Sequence, residues 1–330
     1  MAIAQRRLYA MGSDAHLIAC GRQADLRRVL DRAADRVFGL ERMWSRFLAG
    51  SDVSALNRSP GRTVAVRPET VALVAEAVDA YWRTGGRFDP TVLGDLLRAG
   101  YDRDLGSIGV PGTRPGPGAG AARSYRSGCE GITVDAFAGT VTLPPNTGFD
   151  PGGLAKGLAA DWVSAQMVAD GAAGACANIG GDLCVTGDSP KGEGWRIGIE
   201  PPGVSIHLAA PEPIAVIDLA AGGVATSTVA RRRWKTGAAG ERGMAGRTGP
   251  PEAHHVIDPR TGEPSRSDAV AVTVAAGHAV YAETLATAAL VAGVQDGCAL
   301  VRDAGALGVV VGHDGRQHRI GLPPITDTRR

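Results

Sequence analysis

Hydrophobic positions recur at helical spacing in several stretches of this 330-residue chain. Between residues 25 and 44, apolar side chains lie three or four apart, and arginines and aspartates occupy the other positions. Such a pattern predicts an amphipathic helix. Another helix is predicted from Pro68 through Trp82, where proline takes the first position and Gly85 and Gly86 provide the stop. Further helices are predicted to begin at Gly152–Gly153 and to cover about 279–291 and 296–303.

Short runs between these helices have the length and alternation of strands. Residues 132–135 and 139–143 predict a hairpin, and strands are also predicted at 195–200, 214–219, 269–276 and 307–311. Hairpins and helices are mixed and do not alternate as β-α-β units. We therefore predict an α+β fold with mixed or antiparallel sheets and packed helices.

Two segments are too rich in Gly, Pro and Arg to bury a core, residues 109–124 and 235–252. They are expected to be surface loops. Neither separates halves of different composition, and no internal repeat is evident. We therefore expect one domain over residues 1–330, with insertions at these two loops.

Composition excludes several classes of protein. Hydrophobic residues make up 44% of the chain, which is enough for a sizeable core, and the net charge of +1 provides no field to attract nucleic acid or an anionic membrane. Five scattered cysteines without a C-x-x-C pair predict neither a zinc site nor a disulfide framework. The absence of an apolar leader or a long apolar run predicts no membrane span and a cytoplasmic location.

The segment DPGGLAKGLAAD, residues 150–161, has glycines before a predicted helix. Backbone N–H groups at a helix start can face an anion. Lys156 lies in the first turn, where the helix dipole does not favour a positive charge, so a phosphate partner would explain it. The alternative is an ordinary entry into a helix with an exposed lysine.

Three further motifs contain polar groups that could be functional or merely structural. NIGGDL (178–183) is most simply a turn after a strand, and we interpret Asp182 in that way. HHVIDPRTGEP (254–264) contains adjacent histidines, either of which could be an acid, a base, a phosphate partner or a structural hydrogen-bonding group. GGRFDPTV (85–92) follows a helix stop and could hold a flat ring and its polar edge, or form only a turn.

AETLATAAL, residues 282–290, contains Glu283 and Thr287 four apart on a predicted helix. Both side chains then lie on one face. A carboxylate beside a hydroxyl offers the hard oxygen ligands that suit Mg²⁺. The alternative is a solvated helix face.

Taken together, these motifs resemble the ApbE family of FAD:protein FMN transferases. The resemblance also includes YAMGS, ERMWSRFLAGSDVSALNRSPG, WRIGIEPP and VATST, and it extends in the order of the family from about residue 9 to residue 290. It implies a single ApbE-like domain and a magnesium-dependent transfer of FMN from FAD to a Ser or Thr hydroxyl of an acceptor protein, with release of AMP.

The resemblance also implies roles for individual residues. Positions expected to contact the flavin nucleotide are Met11, Phe47, Arg87, Phe88, Asp89, Asp150, Lys156 and Ile257. Expected metal ligands are the backbone carbonyl of Gly153 and the side chains of Glu283 and Thr287. His255 is our candidate for proton transfer or phosphate contact.

The chain departs from the family pattern in identifiable places. Glu283 stands where the family usually has aspartate, and VATSTVARRRW lacks the usual Ser-Gly pair. The family is often lipid-anchored and exported, whereas we expect a cytoplasmic location for this chain. Two alternative functions follow: an FAD pyrophosphatase that yields FMN and AMP, and a non-catalytic FAD-binding protein.

Overall fold

The computed structural model describes residues 1–22, 25–103, 128–203, 212–235 and 252–323. The helices are α1 (Leu26–Trp44), α2 (Asp52–Arg58), α3 (Pro68–Arg83), α4 (Leu93–Arg98), α5 (Ala155–Ala169), α6 (Ala279–Ala292) and α7 (Val294–Asp303). The strands are β1 (Ala2–Ala10), β2 (Ser13–Gly21), β3 (Thr63–Ala65), β4 (Thr133–Asp135), β5 (Thr140–Thr142), β6 (Gly174–Ile179), β7 (Asp182–Gly187), β8 (Trp195–Ile199), β9 (Ala215–Leu219), β10 (Gly222–Thr228), β11 (Arg233–Lys235), β12 (Glu252–His254), β13 (Ile257–Asp258), β14 (Glu263–Pro264), β15 (Ala269–Ala276), β16 (Leu307–Gly312) and β17 (Gln317–Ile320).

The five predicted helices are present, and one begins later than expected. Helix α5 starts at Ala155 rather than at Gly152–Gly153. Leu154, with φ −151° and ψ −22°, is not helical, and Pro151 O accepts hydrogen bonds from the N–H groups of Leu154 and Ala155. A turn therefore precedes the helix, and Lys156 remains in its first turn.

The predicted strands are also present, including the β4–β5 hairpin. The sequence analysis missed the long β1–β2 hairpin and the short helices α2 and α4. The combination of helices with antiparallel strand pairs confirms the predicted α+β class.

Contacts divide the chain into two compact units. The first comprises Met1–Met43, Pro151–Ser227 and Ser267–Arg330, and the second comprises Trp44–Asp150 and Thr228–Arg266. The expectation of a single domain stays a prediction. The expected insertion at 109–124 lies outside the described residues, as does most of the one at 235–252, whose end residues belong to the paired strands β11 and β12.

The first unit contains an eight-stranded sheet in the order β1-β2-β6-β7-β10-β15-β16-β17. Neighbours with a defined register, such as β2 with β6 and β15 with β16, run antiparallel. The β6–β7 turn consists of Gly180 and Gly181, which have φ values of +67° and +100°. A positive φ at both turn positions favours glycine, and this turn makes Asp182 the first residue of β7.

Helices and a second strand pair cover this sheet. Helix α5 packs on β6 and β7, α6 packs on β15, and the two helices contact each other. The β8–β9 pair contributes Trp195 and Ile217 to an apolar cluster that also contains Val185, Val224 and Val309. Burial of these side chains provides the main stabilisation of the unit.

The second unit is built from smaller elements. Strands β3, β5 and β4 form a three-stranded sheet, and β11–β12 and β13–β14 form two-stranded pairs. The buried Asn57 side chain joins two segments, because its Nδ2 donates to Phe149 O at 2.9 Å and its Oδ1 accepts from Phe149 N at 2.7 Å. These two hydrogen bonds hold α2 against the segment that precedes Asp150. Among the residues that the structure describes, no helix combines the length and apolar character needed to cross a bilayer.

Candidate functional site

Lys156 is the centre of a buried charge cluster in the first unit. Its Nζ forms ion pairs with Asp182 and with Glu283 Oε1, the latter at 2.7 Å. The side chains of both carboxylates are only 4% exposed, and that of Lys156 is 12% exposed. One ammonium group therefore forms ion pairs with two carboxylates that have little access to water. We call these three residues the Lys156 cluster.

Glu283 lies on α6, which is apolar over most of its surface and carries no other charged residue. Its second oxygen, Oε2, accepts a hydrogen bond from Gly157 N at 2.7 Å. Burial raises the pKa of Glu283 to about 7, although the Lys156 charge and the Gly157 hydrogen bond favour the ionised form. The structure excludes a solvated helix face at this position, and the expected ligand role stays a prediction.

Asp182 is the member of the cluster that sequence reasoning missed. The turn that we predicted there consists of Gly180 and Gly181, but Asp182 itself is buried at 3% exposure. Besides its ion pair with Lys156, it accepts a hydrogen bond from Thr226 N at 3.3 Å. An acidic residue between a glycine turn and an apolar strand was the available signal.

Thr287 follows Glu283 by one helical turn, as predicted. Its hydroxyl lies 2.8 Å from the Ser227 hydroxyl at the end of β10. The VATST motif thus contacts the cluster through Thr226 N on Asp182, and it contacts Thr287 through Ser227. Gly153 lies half-buried in the turn that precedes α5.

Met11 occupies the turn of the β1–β2 hairpin. Its φ of +54° is unusual for a residue with a side chain, and its N–H donates to Glu41 Oε1 at 2.7 Å. A Cβ atom at Gly180 would lie 2.7 Å from Ser13 Oγ and 3.5 Å from Lys156 Cδ. The YAMGS turn, the NIGGDL turn and Lys156 therefore meet in the first unit.

The donor set in the first unit fits a hard divalent cation. With both ionised, the two buried carboxylates of the Lys156 cluster face only one positive charge, so the cluster carries a net negative charge. Hydroxyl oxygens of Thr287 and Ser227 lie nearby, and oxygen donors of this kind suit Mg²⁺. Within the described ranges, no group of three or more His, Cys, Asp or Glu side chains is arranged to hold a metal ion. A cation here would depend also on hydroxyl, backbone and water oxygens.

In the second unit, Asp150 and Phe47 are joined through Arg46. Arg46 Nε lies 2.9 Å from Asp150 Oδ2, and both side chains are less than 10% exposed. The Arg46 guanidinium also lies 4.2 Å from the Phe47 ring centroid and 4.7 Å from that of Tyr101. Tyr101 in turn stacks on Trp234 at 5.2 Å. The expected flavin contacts Phe47 and Asp150 thus border a cluster of rings around one buried cation.

The GGRFDPTV segment follows the end of α3 at Arg83. Asp89 is buried, and its Oδ1 accepts hydrogen bonds from both the N–H and the hydroxyl of Thr91. Burial raises the pKa of Asp89, while the Thr91 hydrogen bonds lower it. Phe88 is 4% exposed and Arg87 is half-buried. Pro90 O accepts from Asp150 N at 2.8 Å, so Asp89 and Asp150 lie on segments that are bonded to each other.

The HHVIDPRTGEP segment supplies the last two predicted residues. Ile257 is buried in β13, which pairs with β14. His255 is half-buried between β12 and β13. The neighbouring His254 has a structural contact, because its Nε2 lies 3.0 Å from Ser265 O. The proposed role of His255 stays a prediction.

These features define an α+β protein whose antiparallel sheet and flanking helices bring Gly-rich turns, a lysine and buried carboxylates together. The model of the ApbE family matches residues 11–311, and the chain belongs to the ApbE family. The resemblance inferred from the motifs is confirmed, and the family is one of flavin-transferring enzymes.

Relatives and solved structures agree with this assignment. A protein of Treponema pallidum named FAD:protein FMN transferase is 26% identical over 272 residues, which cover 77% of this chain and 68% of the relative. A Vibrio cholerae protein of the same name is 28% identical over 279 residues, covering 84% and 75%. The crystal structure of the ApbE protein from Thermotoga maritima is similar in fold, with a TM-score of 0.80, 24% identity and 97% of each chain covered.

Proposed function

We propose that this chain transfers FMN from FAD to a Ser or Thr hydroxyl of an acceptor flavoprotein in a magnesium-dependent reaction that releases AMP. The observation that carries the proposal is the convergence of four family motifs on the Lys156 cluster. GGLAKG supplies Lys156, NIGGDL supplies Asp182, AETLATA supplies Glu283, and VATST supplies the Thr226 N–H that donates to Asp182.

The charge of the cluster supports the metal requirement. With both carboxylates ionised, one lysine and two carboxylates sum to −1, which repels the pyrophosphate of FAD. Gly153, Glu283 and Thr287 would hold Mg²⁺, which when bound neutralises the carboxylates and the pyrophosphate oxygens. FAD should therefore bind tightly only when a divalent cation is present.

The flavin-nucleotide contacts proposed in the first unit are Met11 and Lys156. Those proposed in the second unit are Phe47, Arg87, Phe88, Asp89, Asp150 and Ile257. The half-buried Phe47 ring beside the Arg46 cation offers an apolar surface to a flavin. The Lys156 ammonium offers a charged hydrogen bond to a phosphate oxygen.

The reaction is a substitution at phosphorus. The acceptor hydroxyl oxygen forms a bond to the phosphorus on the riboflavin side of FAD, and the bond from that phosphorus to the bridging oxygen breaks, so AMP leaves. The hydroxyl proton is transferred to a base, for which His255 is the candidate. In such reactions the protein contributes chiefly positioning and charge stabilisation.

One assay separates this function from its alternatives. The protein is incubated with FAD and Mg²⁺, with and without a candidate acceptor protein, and AMP and protein-bound flavin fluorescence are measured. Acceptor-dependent AMP with a flavinylated acceptor supports the transferase. AMP without an acceptor would indicate the pyrophosphatase, and FAD binding without AMP would indicate the non-catalytic binding protein.

Variants of Glu283 test the proposed ligand. Glu283→Ala should abolish flavinylation while the protein stays folded, whereas Asp296→Ala, which removes an exposed carboxylate from α7, should keep wild-type activity. Glu283→Asp should alter the Mg²⁺ dependence, because Mg²⁺–oxygen distances of about 2.0–2.1 Å leave little tolerance for a shorter side chain. Equal activity and Mg²⁺ dependence in all Glu283 variants would remove this residue from the site.

A further inference from the structure

Helix α6 carries two of the proposed ligands, yet its first turn is capped from another helix. Its N-cap residue, His278, makes no side-chain capping hydrogen bond. The capping acceptor is Asp161 of α5 instead. Its Oδ1 accepts from Ala279 N at 2.8 Å, and its Oδ2 accepts from Val280 N at 3.0 Å. One carboxylate thus satisfies two N–H groups that a helix leaves without an internal partner.

Two glycines allow the backbones of α5 and β10 to approach the first residue of α6 closely. A Cβ at Gly157 of α5 would lie 2.6 Å from Ala279 O, and a Cβ at Gly223 of β10 would lie 2.1 Å from Ala279 N. Real Cβ atoms do not tolerate such distances, so the start of α6 rests directly on backbone of α5 and β10. The place where Asp161 holds α6 is therefore closely packed, with little room for a shift.

The two helices exchange carboxylates. Asp161 on α5 caps the first turn of α6, and Glu283 on α6 accepts from Gly157 N in the first turn of α5 at 2.7 Å. Asp161 follows Gly157 by four residues, and Glu283 follows Ala279 by four residues, so the two contacts are one helical turn apart. A displacement of α6 at Asp161 would therefore move Glu283 relative to Lys156.

We propose that Asp161 is a positioning residue, which fixes the register of α6 against α5 and so places Glu283 and Thr287 to bind a divalent cation. This inference rests on the proposed function of the same site. Asp161 itself needs no contact with substrate or cation. Its effect should therefore appear as weaker cation binding, since groups that orient metal ligands typically contribute a factor of roughly 10 to 100 in affinity or activity.

The test compares variants that disturb this contact with variants that do not. Asp161→Asn keeps the size of the side chain and one acceptor oxygen, but it turns an NH₂ group towards a backbone N–H. Gly157→Ala disturbs the same contact from its other side. Asp170→Asn, which removes a carboxylate paired with Arg32 at 2.9 Å near the end of α5, controls for loss of charge. Val301→Ala, a fully buried position on α7, controls for loss of stability.

Two readouts are measured with the whole chain: the Mg²⁺ concentration that gives half-maximal AMP release, and the rise in Tm that Mg²⁺ causes in the presence of FAD. For Asp161→Asn we expect the half-maximal concentration to rise roughly 10- to 100-fold. The Mg²⁺-induced rise in Tm should shrink, and the rate at saturating Mg²⁺ should be largely retained. Gly157→Ala should show the same trend. Both controls should keep the wild-type Mg²⁺ dependence, even if Val301→Ala melts earlier.

Three outcomes would contradict these proposals. A folded Asp161→Asn or Gly157→Ala protein with wild-type Mg²⁺ dependence overturns the positioning role and leaves the proposed function standing. An equal loss of Mg²⁺ response in Val301→Ala overturns it too, because general destabilisation would then be the cause. A wild-type protein with neither AMP release nor a Mg²⁺-induced rise in Tm refutes the proposed function, and the positioning role with it.

Discussion

Replacement of Lys156 by methionine should destabilise the first unit strongly. Methionine has a similar unbranched shape, so packing changes little while the charge is lost. Asp182 and Glu283 then lose the cation that they share. Both side chains are only 4% exposed, so water cannot replace it. Buried carboxylates without a counter-charge are costly, and removal of one partner from a buried ion pair typically costs about 3–5 kcal/mol. We expect a loss of unfolding free energy in that range.

Urea unfolding at neutral pH in the presence of a chelator measures this loss. The matched control is Lys191→Met, which removes an exposed lysine of the same unit and should change the free energy by less than about 0.5 kcal/mol. Combining Lys156→Met with Asp182→Asn should restore part of the lost stability, because one of the uncompensated charges is then absent.

Addition of Mg²⁺ provides a second comparison. A ligand that binds only the folded protein stabilises it by about 2.7 kcal/mol at a concentration of 100 times its Kd. The variant has a more negative cluster than the wild type, so Mg²⁺ should stabilise the variant more at the same concentration. A Lys156→Met protein within about 0.5 kcal/mol of the wild type would refute the reasoning, since Lys156 would then balance no buried charge.

Three other substitutions test further contacts. Gly223→Ala should lower the free energy of unfolding in urea by about 1–3 kcal/mol, because its Cβ would lie 2.1 Å from Ala279 N. The control Gly277→Ala, which has nothing within 4 Å, should not, and equal effects would contradict the close approach. Arg46→Met should cost about 3–5 kcal/mol, and a second change, Asp150→Asn, should recover part of it; strictly additive losses would show that the pair is not coupled. Burial alone would raise the pKa of Asp52, but its hydrogen bonds with neighbouring side chains hold it below the usual value. The stability that wild type gains over Asp52→Asn should therefore be present above about pH 4 and disappear as the pH falls below it, and a pH-independent difference would exclude this origin.

Local periodicity predicted many of the helices and strands but not the long-range contacts. Helix α1 could be predicted because its apolar positions repeat at helical spacing, and the same rule placed Glu283 and Thr287 on one face of α6. The β1–β2 hairpin was missed, since the consecutive arginines Arg6 and Arg7 interrupt the alternation of an edge strand.

The composition of the candidate site was only partly predictable for a similar reason. Lys156 and Glu283 are 127 residues apart, and Lys156 and Asp182 are 26 apart, so no local pattern shows that they pair. One signal was available for Glu283. A helix that is apolar nearly all round is usually buried, and its single carboxylate must then have a partner. Glu283, which stands where the family usually has aspartate, is held in place by its contacts with Lys156 and Gly157.

The order of segments in the first unit constrains how the protein folds during synthesis. Strand β2 pairs with β6 through Ala15 and Ile179, and the sheet is complete only when β15, β16 and β17 are available after residue 267. The β1–β2 hairpin must therefore wait for the later strands of its sheet, while residues 44–150 of the second unit are synthesised in between. Pairings of such sequence separation form slowly, because closing a long loop precedes any gain from contacts. Until then the unpaired edges of the early strands are open to pairing with wrong partners, which is the kind of species that aggregates.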